Sequence, residues 1–121
     1  MILVDTSVWI DHLRKGNTRL NSLLLSAAVQ VHPFVIGELA CGNLHNRGRI
    51  LKLLGDLPAS RVARDQEVLF FIEQNDLMGR GIGYIDAHLL ASVSLSSPAR
   101  LWTVDRKLRI VAVQLGLAQP G

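Results

Sequence analysis

The sequence predicts a three-layer α/β sandwich around a central parallel sheet. Three observations carry this. The apolar runs MILV at 1–4 and LWTV at 101–104 each end in an aspartate, as short strands buried on both faces do. Apolar residues between them recur at helical spacing. Strand and helix patterns alternate along the chain, the order typical of a parallel sheet flanked by helices. The 121 residues are 49% hydrophobic and 19% charged, enough for one core, so residues 1–121 read as a single domain.

The elements follow in order. MILV is the first strand. Thr6 or Ser7 offers a hydroxyl cap to an amphipathic helix in DTSVWIDHLR. Leu20, Leu23, Leu24 and Ala27 repeat at i, i+3, i+4 and i+7 and predict a second helix. VQV at 29–31 is the second strand. Pro33 suits the first turn of a third helix, where its missing N–H is not needed. A fourth helix covers about 47–57, with Ile50, Leu51, Leu54 and Leu57 on one face and Pro58 as its stop. SRVAR at 60–64 is a weak strand. Asp65 caps a helix running to about Leu77, and GRGIG is a turn. YIDAHLLASVSL is an apolar helix ended by Ser97-Pro98, and RLWTV is the last strand. Asp105 opens a final helix that buries Leu108, Val111, Ala112 and Leu115 and closes at Gly116.

Composition narrows the class. One cysteine, Cys41, excludes an internal disulfide framework and a cysteine-rich zinc site, and is expected in the core as a small residue. The MILVD start has no basic leader region, so no secretory signal is expected. The longest uncharged run, 20–37, contains Asn21, Ser22, Ser26, Gln30, His32 and Pro33, so no membrane span is expected and the cytoplasm is the expected location. The net charge of +3 is compatible with a polyanionic partner.

Four carboxylates stand out. Between Leu20 and Asn46, Glu38 is the only Asp, Glu, Lys or Arg. On the third helix its i±3 and i±4 neighbours are Phe34, Val35, Cys41 and Gly42, which places it on a face expected to pack inward. Asp86 repeats the pattern among Ile82, Gly83, Leu89 and Leu90, although a first-turn Asp also favours the helix dipole. Asp5 and Asp105 end strands, where ligands of parallel sheets bind; helix capping explains each of them equally well. If the four converge, their mutual repulsion calls for a cation, and oxygen-only ligands select Mg²⁺ or Mn²⁺ over zinc. Such an ion supports phosphodiester hydrolysis by an activated water.

The stretches MILVDTSVWID, PFVIGELACG, GIGYIDAHLLASV and LWTVDRKL, in this order and spacing, resemble the PIN-domain ribonucleases, and within them the VapC-type toxins of toxin–antitoxin pairs. The resemblance spans nearly the whole chain. It implies a PIN fold and an Mg²⁺- or Mn²⁺-dependent endoribonuclease with Asp5, Glu38, Asp86 and Asp105 at the acidic catalytic and metal positions. It places Ser7 and Thr103 as supporting polar residues. It further implies an RNA substrate such as tRNA or rRNA, a VapB-type antitoxin and a homodimer.

Other residues carry less. Arg80, within GRGIG, is a candidate RNA-phosphate contact. The glycines there lack Rossmann and P-loop spacing. His12, His32, His45 and His88 show no zinc spacing, and Trp9 and Trp102 are expected in the core. Two competing readings remain. A phosphotransfer domain would show a DxD partner, which Asp5-Thr6-Ser7 lacks. A non-catalytic RNA-binding or interaction module has no need of all four acids.

Overall fold

The computed structural model describes residues 1–120. Three strands, β1 (Ile2–Val4), β2 (Val29–Gln30) and β3 (Arg100–Trp102), form one parallel sheet in the order β2-β1-β3. Register pairs Ile2 with Val29 on one side and with Arg100 on the other, and Val4 lies opposite Trp102. The central strand is buried at all three residues, which is why ILV carries no polar alternation.

Among the described residues, seven helices interleave with the strands: α1 (Thr6–Lys15), α2 (Thr18–Leu25), α3 (Pro33–Ala40), α4 (Arg47–Gly55), α5 (Asp65–Gln74), α6 (Tyr84–Leu95) and α7 (Arg106–Gln114). Leu3, Val4, Leu20, Leu89, Leu90, Leu101 and Leu108 are fully buried in the main core. Trp9 and Trp102 join them, as expected. Helix α6 is buried from Ala87 to Val93, so its sequence is apolar nearly all round. A smaller cluster of Ala63, Val68, Ala87 and Ala91 joins α5 to α6.

Both sheet edges are covered by single bridges. Ala59 pairs with Val31, and Ala118 pairs with Leu101. The second bridge follows from Gly116. Its left-handed backbone, φ 70°, lets Gly116 N–H bond Val113 O at 3.0 Å and Leu117 N–H bond Ala112 O at 2.9 Å. This closes α7 as a Schellman turn and aims 117–119 along β3.

Several expectations are corrected. SRVAR is not a strand: pairing stops at Ala59, Ser60 N–H bonds Val31 O at 2.8 Å, and 61–64 run irregularly into α5. Asp5, not Thr6 or Ser7, occupies the N-cap of α1. Arg64, not Asp65, precedes α5, and Glu67 takes the Arg64 N–H at 2.9 Å. Helix α2 stops before Ala27, which takes φ 56°. Helix α4 ends at Gly55 rather than about Leu57, and α5 ends at Gln74 rather than near Leu77. Cys41 is exposed at the C-cap of α3, because the face it shares with Glu38 turns away from the core. Among the described residues, no helix is long and apolar enough to cross a membrane.

Candidate active site

The four acids come from four separate places in the fold. Asp5 follows β1 and is 5% exposed. It stands at the N-cap of α1, yet its side chain caps nothing. Its Oδ2 instead accepts the hydroxyl of Ser7 at 2.7 Å and of Thr103 at 2.8 Å. Both hydroxyls are themselves tied to the 103–105 segment. Thr103 Oγ1 accepts the Asp105 N–H at 3.0 Å, and Ser7 Oγ accepts the Val104 N–H at 3.2 Å. A buried carboxylate needs such donors in place of water.

Glu38 is exposed on α3, which corrects the inward-facing expectation. Cys41 and Gly42, its small neighbours one turn on, are exposed too. The apolar residues around Glu38 border an open surface rather than enclosing it. Glu38 Oε1 accepts the Thr6 hydroxyl at 2.6 Å, so α1 orients it from across the gap.

Asp86 is half-buried in the first turn of α6, where its Oδ2 accepts the Gly83 N–H at 3.1 Å. Gly83 has no side chain to complete the reciprocal capping pair. Asp105 is exposed and caps α7 by accepting the Leu108 N–H through Oδ1 at 3.0 Å. The dipole and capping roles weighed for these two are therefore real, and each uses one carboxylate oxygen.

Electrostatics tie the four together. Burial pushes the Asp86 carboxyl above the usual range, and the negative charges of Asp5, Asp105 and Glu38 push it further, against the opposing Gly83 hydrogen bond. Among the described residues, no Lys, Arg or His forms an ion pair with any of the four. Asp5 Oδ1, Glu38 Oε2, Asp86 Oδ1 and Asp105 Oδ2 make no hydrogen bond among the described residues. Each acid is thus anchored by one oxygen and keeps the other uncommitted.

Among the described residues, no three His, Cys, Asp or Glu side chains stand close enough to hold one ion directly. The donor set still fits a hard cation of the Mg²⁺ kind, which keeps several waters and takes only one or two carboxylates itself. It does not fit a closed four-ligand zinc cage.

The Arg80 guanidinium donates to Gln114 on α7. Lys107 lies across Gly81 in the same loop, where a Cβ would meet its Cδ at 2.8 Å. Thr6 is the partner that sequence reasoning missed. The signal available was the unbroken polar run Asp5-Thr6-Ser7 at a strand end, in which Thr6 alone reads only as a cap.

The fold and site define an α/β protein that sets four acids, without a cationic partner among the described residues, around the exits of a parallel sheet. The chain is 47% identical over 118 residues to Ribonuclease VapC32 of Mycobacterium tuberculosis, with the match covering 98% of this chain and 95% of that protein. The same figures hold for the protein of that name in both strain CDC 1551 / Oshkosh and strain ATCC 25618 / H37Rv. No family model matches the chain. The chain belongs to the VapC-type PIN-domain ribonucleases.

Proposed function

We propose that this protein is an Mg²⁺- or Mn²⁺-dependent endoribonuclease on a three-layer PIN fold, acting as the toxin of a VapBC-type toxin–antitoxin pair in the cytoplasm. The observation that carries this is the set of four mutually acting carboxylates with no cationic partner. The kinship to a protein named as a ribonuclease supports the choice of substrate class.

Asp5, Glu38, Asp86 and Asp105 are the residues that would hold the ion. Bound there, a divalent ion would polarise a phosphoryl oxygen and make a water nucleophilic near neutral pH. Ser7 and Thr103 keep Asp5 in one rotamer, and Thr6 holds Glu38 toward it. Asp86 Oδ1, which makes no hydrogen bond among the described residues, would receive the proton of the attacking water. The thirteen Lys and Arg against ten Asp and Glu leave a basic remainder outside the cleft to meet RNA phosphates. Arg80 keeps guanidinium donors besides the one bonded to Gln114 with which to meet a phosphate.

A VapB-type antitoxin and a second copy of the chain are the proposed protein partners. For the homodimer, Leu69, Phe70 and Leu95 supply uncovered apolar surface on α5 and α6.

Glu38→Gln tests the reading. It keeps the shape and the Thr6 hydrogen bond while removing the charge. Cleavage of total RNA with Mn²⁺ present should fall at least tenfold; full activity would overturn the catalytic role. RNA ends mapped after brief expression should differ between wild type and Asp5→Ala. Identical ends, with no Mn²⁺ response in thermal unfolding, would favour the non-catalytic RNA-binding module.

A further inference from the structure

His32 and His88 lie in the core, 0% and 1% exposed, and each leaves one ring nitrogen with no partner: His32 Nε2 and His88 Nδ1. An orphaned buried polar atom is costly, and two in adjacent rings call for a common cause. The rings are neighbours, with centroids 6.4 Å apart. Phe34 packs edgewise on both, at 5.0 Å from His32 and 4.6 Å from His88.

The hydrogen bonds that are made settle which nitrogen carries each proton. Phe34 N–H donates to His32 Nδ1 at 3.0 Å, so Nδ1 is bare and the proton sits on Nε2. His88 Nε2 lies 3.2 Å from Asp65 Oδ1, a carboxylate oxygen that only accepts. His88 therefore carries a proton on Nε2, and in the neutral ring Nδ1 is bare. The two orphans are complementary, one a donor and one an acceptor. A direct N–H···N bond between such rings needs centroids roughly 5–5.5 Å apart, so the observed 6.4 Å excludes it, and a bent bridge through one water is the shortest link between the two nitrogens.

We propose that His32 and His88 form a water-bridged positioning pair: Phe34 N–H to His32, His32 Nε2–H through one buried water to His88 Nδ1, and His88 Nε2–H to Asp65. The chain continues to Tyr84, whose hydroxyl donates to the same Asp65 oxygen at 2.9 Å. It fastens the N-cap of α3, the helix that carries Glu38, to the helix that carries Asp86, and both to the start of α5. Its consequence is a fixed separation between two of the four acids. This role rests on the metal-site reading above; the hydrogen-bonded chain itself does not.

Two measurements on the full chain separate those claims. The first is ¹⁵N-histidine NMR of the metal-free wild type. It should show the Nε2–H form of both rings, a slowly exchanging His32 Nε2–H, and contact between that proton and a long-lived water. A proton on His32 Nδ1, or exchange as fast as for an exposed imidazole, overturns the pair. The second is a double-variant cycle. His32→Asn keeps an N-cap acceptor and removes Nε2–H; His88→Gln keeps a donor toward Asp65 and removes Nδ1. Each should weaken Mn²⁺ binding roughly tenfold, read by thermal-shift titration on protein shown folded by circular dichroism, and the double variant should be no worse. Unchanged affinity in both, or additive losses, overturns the positioning role. Wild type that binds no Mn²⁺ overturns the metal reading and the positioning role with it, while the NMR result still decides the histidine chain.

Discussion

Thr103 donates its hydroxyl to Asp5 Oδ2 at 2.8 Å, joining the two points where the chain leaves the adjacent strands β1 and β3. The same Oγ1 accepts the Asp105 N–H at 3.0 Å, so one hydroxyl orients two of the four acids. Thr103→Val preserves shape and removes both bonds. It should cost about 1–3 kcal/mol in urea unfolding, the range for a lost hydrogen bond to a carboxylate. RNA cleavage should drop about tenfold, and Thr103→Ser should restore most of it.

Asp86→Asn should act oppositely on stability and activity. The Asp86 carboxyl is raised by burial and by Asp5, Asp105 and Glu38. Its ionisation therefore works against the folded state, a penalty absent at low pH and present once pH rises past the raised value. Asn removes it and keeps an acceptor for the Gly83 N–H. The metal-free variant should melt above wild type at pH 7. Mn²⁺ at a hundred times its Kd should stabilise wild type by about 2.7 kcal/mol and the variant far less.

Acid should destabilise the fold through His32. Burial first, and the neighbouring His88 second, lower its pKa to about 4 from 6.5. The unfolded chain takes up a proton near pH 6.5 that the folded chain refuses until about pH 4. His32 thus leaves stability untouched above pH 6.5, and its cost grows as pH falls to 4, to on the order of 3 kcal/mol. Urea midpoints for wild type and His32→Asn, compared at pH 7.5 and 4.5, check this. Wild type should lose more stability between the two; equal losses contradict the assignment.

Ala27→Gly should stabilise the protein. Ala27 is exposed with φ 56°, and its N–H and that of Ala28 close α2 on Leu24 O and Leu23 O at 3.1 and 3.0 Å. This is the position glycine favours, since a Cβ is strained there. The gain should be about 0.5–1 kcal/mol in chemical denaturation, with Mn²⁺ response and cleavage unchanged.

Much of the fold was legible because single residues act locally. Pro33 sits at the first position of α3, Asp105 caps α7 and Gly116 closes it, each through bonds within one turn of chain. The failures share a cause. SRVAR has strand-like residues, yet a strand is made by its partner, and Val31 offers pairing to Ala59 alone. Glu38 and Cys41 were placed inward because their neighbours are apolar. Periodicity identifies a face without saying whether anything covers it.

The sequence alone determined the identity and order of the four acids, the alternation of strand and helix, and the family. These depend on residue type and spacing, which a one-dimensional string contains in full. Only the tertiary structure decided that Asp5 spends its carboxylate on Ser7 and Thr103 rather than on a helix cap, and that Glu38 is open to water under the hand of Thr6. It also brought His32 beside His88 in one buried pocket, although the sequence had shown four scattered histidines. Hydrogen-bond choice and desolvation depend on which side chains arrive from distant parts of the chain, and the packing of seven helices around three strands settles that.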